Sequence, residues 1–250
     1  MKNELLSGCH GKMGQVLQKL ITAHPDLQVV AGLDHTLDKE ADFPVYAAAA
    51  DVVEKIDIVI DFSHYSAVPA LINSCVAKNL PIVIATTGLT DDTKAMLPVA
   101  SQIIPVFYSA NMSLGINVLI KALQSVAPAL ENDFNIEIIE KHHNQKKDAP
   151  SGTALLLADS INDSLTKPKD YLFGRAGNDL ENPLSQMGIH AIRGGSIPGE
   201  HTVIFAGSDE ILEFTHTALS RDIFANGALK AAEFLLKQSA GLYSMQDLLA

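Results

Sequence analysis

The residues best suited to chemistry lie in one run, Glu140-Lys141-His142-His143-Asn144-Gln145-Lys146-Lys147-Asp148-Ala149-Pro150-Ser151-Gly152-Thr153-Ala154. Two histidines and three lysines gather there, in a chain whose formal net charge is −11. Imidazole exchanges protons near neutral pH, and a lysine offers a cation to an anionic ligand. Ser151 is expected to cap a helix start, with Pro150 fixing the chain entry. The N–H groups of Gly152 and Thr153 would then point at a carboxylate, which the helix dipole favours. Such a site suits proton delivery to a small polyanionic substrate. On an extended strand His142 and His143 would point to opposite sides, so they take different jobs unless the strand has already ended. Lys146 would neutralise a carboxylate or steady developing charge. Lys141 and Lys147 read as surface charge. A random histidine pair is more often a solvated loop. The capped helix start directly after this one argues for a site.

The elements that must hold this run come next. Ile136, Ile138 and Ile139 form a strand leading into it. Far upstream, Leu5, Leu6 and Ser7 end a first strand, which Glu4 weakens. Gly8-Cys9-His10-Gly11-Lys12-Met13-Gly14 follows, then a helix with Val16, Leu17, Leu20 and Ile21 on one face. A second strand, 28–33, ends at Asp34, twenty residues beyond Gly14. A strand, a glycine turn, a helix and an acid at that distance suit a dinucleotide: the turn lets the backbone approach a pyrophosphate and the acid meets a ribose. His10 stands where the strict fingerprint wants Gly, so a turn that merely joins strand to helix stays open. Asp34 favours the free ribose hydroxyl of NAD and His35 the 2′-phosphate of NADP, which leaves the preference open.

Residues 57–62 and 81–85 read as buried parallel strands, with a helix over 67–78 between them. Thr86 and Thr87 fall where a nicotinamide ribose could lie, or else cap a helix beginning near Asp91. A strand over 104–108 ends at Ser109-Ala110-Asn111-Met112, where Asn111 could meet the carboxamide or turn the chain. A connecting helix over 115–129 carries Val118, Leu119, Ala122 and Val126 at helical spacing. Beyond it are expected a helix from Ser151 to about Leu165, a turn-rich excursion over 167–183, and strands over 188–193, 202–206 and 211–218. Gly207-Ser208-Asp209 signals a hairpin between the last two. The final helix, 226–238, is expected to pack back on the first domain. The fold class is therefore α/β. A Rossmann-like parallel sheet would form a dinucleotide-binding domain over 1–112 and 222–250. An α+β substrate-binding and oligomerisation domain, with a mixed, largely antiparallel sheet, would span 113–221.

Composition narrows the partners. A chain of 250 residues can bury a full core in one large domain or two modest ones. Its acidity argues against nucleic acid or an anionic membrane as partner. Cys9 and Cys75 are too few for a disulfide framework, which fits a reducing cytoplasm. No signal-peptide pattern or spanning apolar run is visible. No metal is expected, because the histidines lack metal-ligand spacing and no carboxylate cluster joins them. A redox sensor that binds NAD(H) would bring a basic DNA-binding unit, and none is visible.

Taken together, these segments resemble the 4-hydroxy-tetrahydrodipicolinate reductase (dihydrodipicolinate reductase) family. The resemblance rests on the Gly8 to Gly14 turn, Asp57 to Ser63, Ala85-Thr86-Thr87-Gly88, Ser109 to Ser113, Glu140 to Ala154, Arg193 to His201 and Phe224 to Ala228, in that order. It implies reduction of a cyclic imine dicarboxylate to tetrahydrodipicolinate by NADH or NADPH, in lysine and diaminopimelate synthesis. It implies His142 as proton donor and acceptor, Lys146 as the second proton donor, and His143, Gly152 and Thr153 as substrate contacts. Cofactor contacts would fall on Gly8, Cys9, His10, Gly11, Lys12, Met13, Asp34, His35, Ala85, Thr86, Thr87, Ser109, Ala110, Asn111 and Met112. A homotetramer joined through the substrate-domain sheets is also implied. Lys12 stands where members often carry Arg, His35 where some carry it, and Ala85 replaces a common Gly. Lys keeps the charge of Arg but loses its bidentate fork.

Overall fold

Short, wholly apolar strands separated by amphipathic helices are stable only where both faces of a sheet are covered. The chain opens in that pattern. β1 (Lys2–Ser7), α1 (Lys12–Thr22), β2 (Leu27–Leu33), β3 (Val45–Tyr46), β4 (Ile58–Asp61), α2 (Val68–Lys78), β5 (Ile82–Ile84), α3 (Asp91–Ala100) and β6 (Pro105–Tyr108) follow in order. Then come α4 (Leu114–Leu130), β7 (Asn135–His142), α5 (Gly152–Asn162), β8 (Asp170–Phe173), β9 (Gln186–Arg193), β10 (Glu200–Ala206) and β11 (Ile211–Thr217). The chain closes with α6 (Asp222–Leu235), β12 (Gly241–Tyr243) and α7 (Met245–Leu248). The structure is a computed structural model and describes residues 1–178 and 183–250. It divides into two compact units, Met1–Leu114 with Arg221–Ala250, and Gly115–Ser220.

In the first unit seven strands run in the order β12-β6-β5-β4-β1-β2-β3. Every pairing in this sheet is parallel. The order reverses beside β1, which makes the carboxyl ends of β1, β2 and β4 the place for a ligand in such a sheet. One face is packed by α1 and α6 through Leu17, Ile21, Ala228, Ala232 and Leu235; the other is packed by Val68, Leu71, Ile72 and Leu97. The turn after β1 is built by close approach. Gly8 has φ +77°, and a Cβ there would meet the Phe62 carbonyl oxygen at 2.6 Å. A Cβ on Gly14 would lie 2.3 Å from the Gly8 carbonyl oxygen and 2.5 Å from that of Cys9.

In the second unit five strands run β11-β10-β7-β9-β8. β10 pairs antiparallel with β11 and β7, whereas β9 pairs parallel with β7 and β8. The sheet is therefore mixed, with antiparallel pairing confined to one half. α4 and α5 share a core with its inward residues: Leu123, Ala127, Leu157 and Ile161 meet Ile136, Ile138, Val203 and Phe205. Ile139 alternates to the opposite face.

Several expectations need correction. The buried face of α4 runs through Ile116, Leu119, Ile120, Leu123 and Ala127, while Val118 is exposed. The helix is apolar almost all round, so spacing puts Val118 in the stripe wrongly, while Leu119 lies in it as expected. Glu4 does not interrupt β1, which was expected to be weakened by it; it lies inside the strand, fully buried, and burial pushes its carboxyl up to about 8, so it stays neutral. Thr90, not Thr86 or Thr87, caps α3. α5 ends at Asn162 rather than near Leu165. The excursion over 167–183 contains β8, and its residues 179–182 lie outside the described residues. β3, β12 and α7 were not expected, being too short to show a period.

The glycine turn yields a direct test. Gly14→Ala forces a methyl group onto two carbonyl oxygens, so it should cost about 2–3 kcal/mol and lower Tm by roughly 5–10 °C. Gly152→Ala, where a Cβ meets nothing within 4 Å, should leave Tm within about 2 °C of the parent. Differential scanning calorimetry of the two variants reads the contrast, and a Gly14→Ala melt that overlays the parent would contradict the packing described.

Candidate active site

In the second unit β7 carries its inward residues as Ile136, Ile138, Glu140 and His142, so the apolar core gives way to a polar end. Glu140 has no exposed surface. A carboxylate taken out of water needs a partner for its charge and its lone pairs. Arg193, at the end of β9, gives it two bonds: Nη1 to Oε2 at 2.7 Å and Nη2 to Oε1 at 2.6 Å. The Ser151 N–H donates to Oε1 at 2.9 Å, and His142 Nδ1 lies 2.6 Å from Oε2. Burial alone would raise the Glu140 carboxyl, but Arg193, His142 and the Ser151 N–H outweigh it and hold it below the usual carboxylate value. Arg193 is raised in turn, chiefly by its bonds to Glu140. Burial lowers His142 below the ordinary imidazole range, against the pull of Glu140.

Ser151 caps α5 through its hydroxyl, which accepts from the Ala154 N–H at 3.1 Å. The same oxygen lies 2.9 Å from His201 Nε2. The His201 ring is buried on β10, 5.2 Å from the His142 ring and at 72° to it. Burial, then the charge of His142, pushes His201 down to about 4, so it is neutral at pH 7. His143 follows the end of β7, and its Nδ1 is buried with no partner among the described residues. Lys146 pairs with Asp148 at 2.9 Å. Gly152 and Thr153 form the first turn of α5. The structure thus brings His142 and the start of α5 together through one carboxylate. Lys147 is exposed, but Lys141 is not free surface charge, because it pairs with Glu200 across β7 and β10. Glu140, Arg193 and His201 delimit segments quoted from the sequence but were given no role there. Alternation along β7 from Ile136 could have marked Glu140 as inward; nothing local marks the other two.

In the first unit a cleft of about 890 Å³ opens at the carboxyl ends of β1, β2 and β4. Gly8, His10 and Gly11 line one side, Asp34 and His35 another, and Phe62 to His64 a third. Asp34 accepts from the N–H groups of His10 and Thr36, each at 3.0 Å, and His35 Nδ1 lies 3.1 Å from it. Burial opposes the charge, but those N–H bonds hold the Asp34 carboxyl below its usual value. An ionised carboxylate can accept about four bonds, so Asp34 keeps capacity for a ribose hydroxyl. The residues present therefore fit a dinucleotide.

Other expected cofactor contacts are placed differently. The Cys9 side chain is buried in the core, where a Cβ on Gly32 would meet its Sγ at 2.7 Å; burial, then Asp34, pushes the thiol up to about 11. Only the Cys9 backbone faces the turn. Lys12 and Met13 begin α1, outside the cleft lining. Ala85 to Thr87 and Ser109 to Met112 follow β5 and β6 on the same carboxyl edge, also outside it. The Thr86 hydroxyl is committed to Asp61 Oδ2 at 2.6 Å. Asn111 turns the chain, its Oδ1 accepting from the Ser113 N–H at 2.9 Å. Ala110 is exposed and Met112 buried. His64 and Lys39 line the cleft without having been expected to. Among the described residues no group of three His, Cys, Asp or Glu could hold a metal ion.

The neutral His201 makes stability depend on pH. A free imidazole takes a proton near pH 6.5, while the folded ring resists it until about pH 4. The unfolded chain therefore binds more protons in that window. The stability contributed by His201 is present above pH 6.5 and lost as pH falls toward 4, roughly 3 kcal/mol in all. Burial lowers His142 and His216 too, so they share the slope. Urea midpoints from pH 7.5 to 5 should fall more steeply for the parent than for His201→Gln. Parallel slopes would show that the ring accepts a proton in place.

Comparison with known proteins adds the lineage. The family description "Dihydrodipicolinate reductase, N-terminus" matches residues 4–112, and "Dihydrodipicolinate reductase, C-terminus" matches residues 115–249. A 4-hydroxy-tetrahydrodipicolinate reductase of Caldanaerobacter subterraneus subsp. tengcongensis is 50% identical over 244 residues, covering 98% of this chain and 96% of that one. One from Clostridium tetani is 46% identical over 245 residues, with the same coverage. A solved dipicolinate-bound dihydrodipicolinate reductase from Paenisporosarcina sp. TG-14 shares the fold, with a TM-score of 0.84 at 23% identity over 100% of both chains. Matches to both halves, and near-full-length identity of that size, leave one conclusion: the chain belongs to the dihydrodipicolinate reductase family, whose N-terminal domain binds NAD(P).

Proposed function

We propose that this chain reduces its cyclic imine dicarboxylate with His142 as proton donor and Lys146 as a second, cationic donor. The reaction is that of 4-hydroxy-tetrahydrodipicolinate reductase, giving tetrahydrodipicolinate by way of dihydrodipicolinate in lysine and diaminopimelate synthesis. NADH or NADPH, when bound, supplies the hydride. The remaining requirements fall on the chain. Electrons pushed into the ring must be met by a proton, and a placed imidazole contributes roughly 10²- to 10⁴-fold. Burial lowers His142 below the ordinary imidazole value, which makes its imidazolium a readier proton donor. The N–H groups of Gly152 and Thr153 receive one substrate carboxylate, aided by the helix dipole. Lys146 turns from Asp148 to the substrate, and His143 offers its unpartnered Nδ1. Gly8 to Met13, Asp34 and His35 hold the adenosine and pyrophosphate, with Cys9 contributing backbone alone. Ala85 to Thr87 and Ser109 to Met112 hold the nicotinamide end. The observation that carries this reading is the single carboxylate, Glu140, which bonds both His142 and the amide at the start of α5.

We also infer a cytoplasmic homotetramer. The two cysteines are buried free thiols, and no helix among the described residues is long and apolar enough to cross a membrane. The outward face of the second sheet carries Ile139, Ile192, Ile204 and Ile211, of which Ile192 and Ile211 are 45% and 65% exposed. Light scattering should give four times the 26.8 kDa chain mass, and Ile204→Asp should reduce it. A monomer at micromolar concentration would remove the assembly.

Two substitutions test the chemistry. His142→Gln should lower kcat about 10²- to 10⁴-fold while NADH binding, read by fluorescence titration, stays unchanged. Lys146→Ala should lose activity through poorer dicarboxylate binding or protonation. Near-full turnover in His142→Gln would end the donor role, and unchanged substrate kinetics in Lys146→Ala would take that lysine out of the site.

A further inference from the structure

We propose that Glu140 is the positioning residue for His142, and that Arg193 is the counter-charge that lets it act. This rests on the reading of His142 as proton donor. An ionised carboxylate can only accept hydrogen bonds. The 2.6 Å contact to Glu140 therefore puts a hydrogen on Nδ1 of His142. In the neutral ring that leaves Nε2 bare; in the imidazolium it makes the Nε2 proton the one free to leave. Space at Nε2 is kept by Gly199, since a Cβ there would come within 3.1 Å of that nitrogen. The step balances simply. The imidazolium gives its Nε2 proton to the reduced ring, keeps Nδ1–H on Glu140, and ends neutral until water reprotonates Nε2.

Arg193 answers a competing outcome. A lone buried carboxylate so close to an imidazolium would take the Nδ1 proton itself. Two guanidinium bonds and the Ser151 N–H stabilise Glu140 as the anion instead. The fork also fixes the plane of the carboxylate, and with it the plane of the ring. The His142 side chain is 11% exposed, so little water is present to turn it. The other titratable or charged groups acting on the ring are Lys146 and His201. His201 is neutral and adds no second cation beside the imidazolium.

The same carboxylate anchors the amide of Ser151, so a change at Glu140 reaches the carboxylate-binding turn as well as the ring. A purely structural role would lower the amount of folded enzyme and leave the profile of the remainder alone. Glu140→Gln should lower kcat about 10- to 100-fold, well short of the loss in His142→Gln, with the KM for NADH unchanged. The limb along which kcat falls as His142 loses its proton should move to lower pH. Glu140→Asp, which keeps the charge, should hold the limb near the parent position. If Glu140→Gln does not fold, ¹⁵N spectra of histidine-labelled parent enzyme, assigned with His142→Gln, decide the matter at high pH. Nδ1–H with bare Nε2 supports the proposal, and Nε2–H overturns it. A folded Glu140→Gln whose kcat profile overlays the parent also overturns it. Full turnover in His142→Gln would instead mean that the donor was misidentified, so the two failures are told apart.

Discussion

A carboxylate with no contact to water sets the terms for the second unit. The cost of burying an isolated ion is several kcal/mol, and removing one partner of a buried pair costs about 3–5 kcal/mol. Glu140 avoids that cost only while the end of β9, the end of β7 and the start of α5 all stay in place, since each supplies one partner. The sheet register brings this about. β7 and β9 pair with His142 opposite Arg193, and β10 brings His201 opposite Glu140. A slip of β7 by one residue would turn Glu140 and His142 to the other face, away from Arg193 and His201. The chemistry and the register are thus enforced by one electrostatic requirement.

Three buried acids show how differently the fold can meet that requirement. Glu4 has no partner among the described residues and is neutral near pH 7 because burial raises its carboxyl to about 8. Asp61 is raised too, but the Thr86 hydroxyl and the Ser63 N–H bind it. Glu140 alone is held below its ordinary value, and it alone has a guanidinium. Position along a strand does not decide which acid stays charged; the neighbour does. That is why the acid beside His142 is an anion while Glu4, in the centre of the parallel sheet, is not.

Local signals were legible in the sequence and distant ones were not. The cap at Ser151, the glycine turn from Gly8 and the hairpin at Gly207 each depend on a few adjacent residues, and each lies where the sequence puts it. The parallel strands announced themselves as short apolar runs. Glu140 was hidden because its partner Arg193 lies 53 residues away, and His201 meets Ser151 across 50. No spacing rule spans such gaps. β3 has two residues and β12 three, too few for alternation to register. On α4 the difficulty was the reverse, an excess of apolar residues. Val118 suits a core by composition, and only the packed sheet shows that Ile116 and Leu123 take that place.

The same division between staple and rim bears on the cofactor. Asp34 was read as a ribose ligand, yet its carboxylate also holds the glycine turn through the His10 N–H and its own loop through Thr36. Its side chain is 6% exposed, that of His35 95%. An acid that carries the turn cannot be exchanged without loosening the backbone that it holds. A side chain on the rim can change freely, because nothing folds around it. Where Asp34 stands is therefore set by the architecture of the turn. The groups around it that are free to vary are the exposed ones, His35 among them, and such groups leave no trace in strand or helix periodicity.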